Sequence, residues 1–325
     1  MRRNLALKTL AAMTGWSRAR IYNDIAETIG HTPLVRAARL AAAANVHAEI
    51  LVKLEFLSPL ASIKDRVAVA VVDALEADRR LVPGKTALVA AVSGNMAASL
   101  AFVAAARGYR LTIVAPDSLP SNDRNRLARL GAELDLIPAA EGPAAAAARA
   151  ADLAKSLPDA VQLNPLEDAA NSRVHEMTTA EELWADTGGR IDVLVAGVGS
   201  GGTLTGCARM LKPRLPDLKV VAVEPAASAV LSGGEPNAHG IEGLGLGFVP
   251  ALLDRGAIDE VVRVSDDMAF EAARWLARIE GIAGGLSTGA NMSAALTVAG
   301  RPEMAGKTIV TFAPSPAERH ASSES

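Results

Sequence analysis

Cysteine occurs once in the 325 residues, as Cys207, so the chain can close no internal disulfide and build no thiolate metal cage. The five histidines, His31, His47, His175, His239 and His320, include no pair at zinc-site spacing. Apolar runs are short. None approaches the roughly 18 residues needed to cross a bilayer, because stretches such as 87–92 and 97–106 are interrupted by polar residues or bounded by glycine. Charge of one sign is lacking too: Lys+Arg number 33 against 36 Asp+Glu, a formal net charge of -3, which gives no steering field toward a phosphate backbone. An oxidised extracellular scaffold, a structural zinc, a membrane span and nucleic acid as a main partner are all excluded as expectations, leaving a soluble, cytoplasmic protein. With 50% hydrophobic residues the chain has enough material for a sizeable core, as one large domain or two.

The ends differ from the middle. Residues 1–20 carry Arg2, Arg3, Lys8, Arg18 and Arg20 with no acid, which fits an N-terminal arm on the fold or on a partner subunit, with a targeting peptide as the alternative. Residues 320–325 are small and polar, as in a frayed tail. Between the ends, β-branched apolar runs at 49–55, 87–92, 111–115, 133–137, 193–198, 220–223, 260–264 and 308–312 predict strands. They alternate with amphipathic stretches at 64–80, 95–107, 121–130, 143–157, 171–186, 203–211, 266–280 and 289–299, which predict helices. That alternation predicts parallel βαβ units in a doubly wound α/β architecture, with the site at the carboxyl ends of the strands.

Four strand-to-helix junctions carry chemistry. The first is Gly197-Val198-Gly199-Ser200-Gly201-Gly202-Thr203, where a buried strand breaks into a loop with four glycines in six residues. Glycines let the backbone approach an anion, the N–H groups of a helix start point at it, and the Thr203 hydroxyl adds a donor, so this is a phosphate cradle. A ligand-free tight turn is the plain alternative. Gly197, Gly199 and Gly202 also satisfy G-x-G-x-x-G, with Glu224 ending the next strand, which keeps a nicotinamide dehydrogenase open; no Walker lysine follows, which excludes a P-loop. The second junction, Ser62-Ile63-Lys64-Asp65-Arg66, puts a lysine at a helix start, where the dipole disfavours a cation and lowers the amine's pKa toward the neutral form a Schiff base needs; a solvated surface lysine is the alternative. The third, Val92-Ser93-Gly94-Asn95-Met96, could wrap a carboxylate or be a simple Ser or Asn cap. The fourth, Gly284-Gly285-Leu286-Ser287-Thr288-Gly289, repeats the theme near the C-terminus.

In this order and spacing the four junctions resemble the fold-type II pyridoxal phosphate enzymes, most closely the cysteine synthase (O-acetylserine sulfhydrylase) and cystathionine β-synthase family. Supporting segments are Gly30-His31-Thr32-Pro33-Leu34, Val223-Glu224-Pro225, Ser232-Gly233-Gly234 and Gly243-Leu244-Gly245-Leu246-Gly247-Phe248, and the likeness runs from about Ile21 to Arg319. The resemblance implies a two-lobed fold like the tryptophan synthase β-subunit, with residues 58–165 as one lobe and 21–57 with 166–319 as the other. It implies pyridoxal 5'-phosphate as cofactor, Lys64 as the Schiff-base and proton-moving residue, and Gly199, Ser200, Gly201, Gly202 and Thr203 as the phosphate cup. Asn95 would lie beside the cofactor 3'-oxygen and Ser287 would bond the pyridine nitrogen. A neutral serine there leaves the ring a weaker electron sink, suited to β-elimination over transamination. Ser93, Gly94, Met96 and Gln162 would grip the substrate carboxylate, with Gly243 on a closing loop.

The implied reaction is β-replacement on an O-activated L-serine through an aminoacrylate, with sulfide giving L-cysteine by default. Cyanide, an amine or homocysteine as nucleophile, serine deamination, and a weakly catalytic binding homologue are the alternatives. Implied partners are a small amino acid, a small nucleophile, a second copy in a homodimer, and a serine acetyltransferase-type enzyme. The substrate side departs from the family pattern. Val92 and Met96 stand where hydroxyl residues are usual, Leu163 replaces an aromatic after Gln162, Gly240 and Glu242 replace a basic residue and Gln, and Pro316-Ala317 replaces Phe-Gly before Glu318. Cys207 is expected to be a small buried packing residue.

Overall fold

The computed structural model describes residues 21–317; the expected arm at 1–20 and tail at 320–325 lie outside them. Among the described residues ten strands are formed: β1 (Leu34–Arg36), β2 (Glu49–Leu54), β3 (Ala87–Ala91), β4 (Arg110–Pro116), β5 (Glu133–Ile137), β6 (Ala160–Leu163), β7 (Val193–Gly197), β8 (Lys219–Pro225), β9 (Glu260–Val264) and β10 (Thr308–Ala313). The helices are α1 (Ala38–Ala43), α2 (Lys64–Ala77), α3 (Gly94–Arg107), α4 (Ser121–Arg129), α5 (Gly142–Ser156), α6 (Ala169–Val174), α7 (Ala180–Thr187), α8 (Gly202–Arg214), α9 (Asp266–Glu280) and α10 (Leu286–Ala299).

The strands divide into two sheets. The larger has the order β1-β2-β10-β7-β8-β9 and the smaller β5-β4-β3-β6. Every pairing is parallel except that of β1 with β2, an antiparallel edge. Central strands such as β7 and β10 are buried on both faces, which is why they read as continuous apolar runs instead of alternating ones. The larger sheet is covered on one face by a core that includes Val195, Val223, Leu276 and Met292, and on the other by one that includes Leu194, Leu204, Cys207 and Phe312. The smaller sheet packs Leu88 and Ile113 against α2 and α3 through Val67, Val71, Leu100 and Val103.

All eight predicted strands form. The two missed strands are β1, three residues at an edge, and β6, four half-buried residues that lack an apolar run. The helix expected over 171–186 forms, running without interruption through α6 and α7, but a π-helical turn, His175–Thr179, lies within it and adds a residue to that turn.

Candidate active site

The carboxyl ends of β3, β4, β5, β7 and β10 open onto one cavity of about 650 Å³, so both sheets aim their strand ends at the same space. Lys64, Ser93, Gly94, Asn95, Met96, Gly199, Ser200, Gly201, Gly202, Thr203, Gly243 and Ser287 all line it. Gln162 does not; its amide nitrogen donates to the Ala147 carbonyl at 3.3 Å.

Five helices begin at the cavity with no capping hydrogen bond from the residue before them: Ile63 precedes α2, Ser93 precedes α3, Glu141 precedes α5, Gly201 precedes α8 and Gly285 precedes α10. At the start of α2 the Lys64 amide donates instead to Ser62 Oγ at 3.2 Å. Away from the cavity Asp168 and Ser265 cap α6 and α9, while Ala37 and Pro120 leave α1 and α4 uncapped. Ser93 has the extended backbone of a cap residue, yet its hydroxyl does not cap. Helix starts carry orphan N–H donors and partial positive charge. Their convergence on one concave space makes it a receptor for anionic groups.

The glycine loop is built for close approach. Gly201, at φ 81°, takes the left-handed conformation that turns β7 into α8. A Cβ on Gly202 would overlap Asn171 Oδ1 and fall 2.8 Å from its Cγ, so this glycine is also required by packing of α8 against α6. A row of side chains stands behind the cup. The Asn171 amide nitrogen donates to the Pro165 carbonyl at 2.7 Å and to Ser200 Oγ at 3.1 Å. His175 lies between Thr203 Oγ1, 3.2 Å from its Nε2, and Thr179 Oγ1, 2.9 Å from its Nδ1. Burial, reinforced by the nearby positive charge of Arg66, pushes the His175 pKa well below the usual imidazole value, so the ring is neutral.

Neither Asn171 nor His175 was singled out from sequence. The signal that could have found them is Gly202-x-x-x-Gly206, a pair of glycines one turn apart, where a Cβ on Gly206 would also overlap Ser172. Glu224, the candidate ribose acid, is 2% exposed, and its carboxylate accepts from the Leu231 and Ser232 amides and the Ser232 hydroxyl. It does not line the cavity.

Lys64 opens α2 at the cavity wall, with no hydrogen bond or ion pair from its amine among the described residues. Its pKa is lowered, in the direction expected, by burial. The residues after it fix it in place. Asp65 accepts from the Leu60 amide at 2.8 Å and from Ser99 Oγ at 2.5 Å, holding the loop before the lysine to α3. Arg66, 1% exposed, forms paired bonds to Glu55 at 2.8 and 2.9 Å and to Glu182 at 2.7 and 2.8 Å. Lys53, fully buried, adds a 2.9 Å bridge to Glu182. Burial alone would raise the Glu182 pKa, but the hydrogen bonds and charge of Arg66, then of Lys53, hold it down to about 2. This cluster ties the end of β2 and the start of α2 to α7.

On the substrate side, Met96 is 5% exposed and packs with Val92 in the core of the smaller sheet while its edge reaches the cavity. The outer wall is apolar, formed by residues such as Ile137, Leu166, Leu246 and Phe248.

Comparison with known proteins agrees with this geometry. Residues 25–315 match the family described as "Pyridoxal-phosphate dependent enzyme". The chain belongs to that family. The chain is 41% identical over 308 residues to cysteine synthase 3 of Caenorhabditis elegans, covering 95% of this chain and 91% of the relative. It is 40% identical over 301 residues to cysteine synthase of Staphylococcus aureus (strain Mu50 / ATCC 700699), covering 92% and 96%. The crystal structure of cysteine synthase (OASS) from Entamoeba histolytica superposes with a TM-score of 0.90 at 37% identity, covering 94% of this chain and 91% of that one. The fold is that of the type II pyridoxal phosphate enzymes. A pyridoxal phosphate enzyme needs an amine held neutral, a dianion receptor and a partner for the ring nitrogen within one cavity. The donors here fit: a desolvated Lys64, an uncapped helix start with two hydroxyls, and Ser287 at the uncapped start of α10. Among the described residues no helix is long and apolar enough to cross a membrane, and no cluster of metal-binding side chains occurs.

Proposed function

We propose that this enzyme catalyses β-replacement on O-acetyl-L-serine, with sulfide as nucleophile and L-cysteine and acetate as products. The observation that carries the reading is the meeting of Lys64, the glycine cup and Ser287 in one cavity, in a chain about 40% identical to proteins named cysteine synthase. When bound, the cofactor supplies an electron sink that acidifies the substrate α-C–H bond and favours loss of the β-substituent.

The chain's residues do the rest. The amides of residues 199–203 and the hydroxyls of Ser200 and Thr203 would hold the phosphate, Ser287 would serve the pyridine nitrogen, and Asn95 would serve the 3'-oxygen, all of them lining the cavity. Lys64 Nζ would hold the cofactor and, once the substrate amine has displaced it, would be free to accept the α-proton; burial lowers its pKa, which favours the unprotonated amine that this needs. Ser93, Gly94 and Met96 orient the substrate carboxylate at the start of α3, whose orphan N–H groups attract it. Gln162, turned toward Ala147, plays this part only if its side chain rotates. Gly243 lies on the loop that shields the reacting atoms from water, and the apolar outer wall suits a small uncharged nucleophile such as hydrogen sulfide. The cytoplasmic setting, a homodimer and an acetyltransferase-type partner extend the reading by the same family likeness.

The test is to supply O-acetylserine and sulfide to purified, cofactor-loaded protein and quantify cysteine and acetate. Equimolar products, abolished in Lys64→Ala, are expected. Loaded protein that consumes O-acetylserine without forming cysteine would refute the choice of nucleophile. Loaded protein that leaves it untouched would refute the substrate.

A further inference from the structure

We propose that Asn171 and His175, one helical turn apart behind the glycine cup, are positioning residues that donate to Ser200 and Thr203 and so turn both hydroxyl hydrogens toward the bound phosphate. This rests on the cup reading given above.

The hydrogen inventory decides the direction of each bond. The Asn171 amide cannot be reversed, because Nδ2 already donates to the Pro165 carbonyl at 2.7 Å. Its second N–H therefore points to Ser200 Oγ, 3.1 Å away, which acts as acceptor. The Ser200 hydrogen is left to be donated elsewhere, and Ser200 faces the cavity.

His175 is buried and flanked by two hydroxyls, each able to donate or accept. With the proton on Nδ1, the ring donates to Thr179 and accepts from Thr203. The hydrogen of Thr179, which is fully buried and has no other hydrogen-bond partner among the described residues, would then lack an acceptor. Thr203 would also present only lone pairs to the anion. With the proton on Nε2, Thr179 donates to Nδ1, Nε2 donates to Thr203, and the Thr203 hydrogen is free for the phosphate. Only the second arrangement leaves no buried donor unpaired. The neutral ring is consistent with its burial beside Arg66. The π-helical turn gives this arrangement a reason: it begins at His175 and ends at Thr179, the pair of residues that closes the relay.

The test compares dissociation constants of pyridoxal 5'-phosphate and of pyridoxal, which lacks the phosphate, for cofactor-stripped protein. In the wild type the phosphate form binds much more tightly. Asn171→Leu and His175→Phe should each cut that preference about tenfold, the equivalent of about 1.4 kcal/mol, with pyridoxal binding changed less than threefold. His175→Gln, which keeps a donor near the Nε2 position, should restore most of it. Equal losses for both ligands would mean a packing role only and overturn the proposal, as would an unchanged preference. A wild type with no preference for the phosphate form would instead overturn the cup reading. If the larger substitutions do not fold, nitrogen-15 NMR of the wild type decides: a His175 proton on Nε2 is expected, and one on Nδ1 refutes the relay.

Discussion

Replacing Gly202 by alanine tests whether the cup is fixed by packing from behind as well as by its ligand. The added Cβ would overlap Asn171 Oδ1 and lie 2.8 Å from Asn171 Cγ. Asn171 cannot yield easily: it is 1% exposed and its amide nitrogen is held by Pro165 and Ser200. Overpacking of this kind costs about 1–3 kcal/mol. In a chain of 325 residues that is a fall of roughly 1.5–4.5 °C in Tm. The informative experiment is a double-mutant cycle with Asn171→Ala, read by thermal unfolding at one fixed, saturating cofactor concentration so that ligand linkage is equal in all four proteins. Asn171→Ala alone should destabilise by about 1–3 kcal/mol, because buried groups lose a partner. With the amide gone, Gly202→Ala should cost less than about 0.5 kcal/mol, giving a coupling of about 1–2 kcal/mol. An equal cost of Gly202→Ala in both backgrounds would refute the steric reasoning.

The Glu182 carboxyl, held to about 2 from an ordinary 4.5, contributes about 3 kcal/mol that is present above pH 4.5 and lost as pH falls toward 2. Glu182→Gln should therefore be destabilised by about 3–5 kcal/mol at pH 7, with the gap to wild type narrowing as pH falls from about 4.5 toward 2 in urea titrations; a gap independent of pH would count against the ion cluster. Cys207, fully buried and with its thiol pKa pushed up by that burial, should not react with a disulfide reagent at pH 8 until the protein is unfolded, and rapid labelling of the native state would contradict its packing. Met96→Thr should lower KM for O-acetylserine by about tenfold if the new hydroxyl reaches the carboxylate, while calorimetry shows a loss of about 1–2 kcal/mol from the core; an unchanged KM would assign Met96 to packing alone.

The parts legible in sequence were those whose cause is local. Buried parallel strands such as 193–197 announce themselves because both faces are apolar, and the cup because Gly201 takes a left-handed turn and a Cβ at Gly199 or Gly202 would overlap a neighbour. Lys64 stood out because a lysine at a helix start conflicts with the dipole, although the lowered pKa comes from burial that no window of sequence displays. The row behind the cup was not legible. Asn171 and His175 lie about thirty positions before Ser200 and Thr203, and their roles depend on a π-helical turn that leaves the apolar spacing of 171–186 nearly intact. Edge strand β1 and half-buried β6 failed for another reason: each is held by pairing to a neighbour and not by its own pattern. Gln162 matched the family by position, yet it falls on β6, where its side chain turns away from the cavity toward α5.

The order β1-β2-β10-β7-β8-β9 has a consequence for how the protein is made. Residues 308–313, the last strand, join β2, formed near the start of the chain, to β7. While the ribosome still holds that strand, the larger sheet exists as two fragments, each with a bare edge open to pairing with other chains. The smaller sheet draws all its strands from residues 87–163 and can close during synthesis. Birth of the enzyme is therefore staged, and the larger sheet closes by a splice: a nascent chain stopped at residue 307 would carry β1 to β9 and still be unable to assemble the two halves of its main sheet.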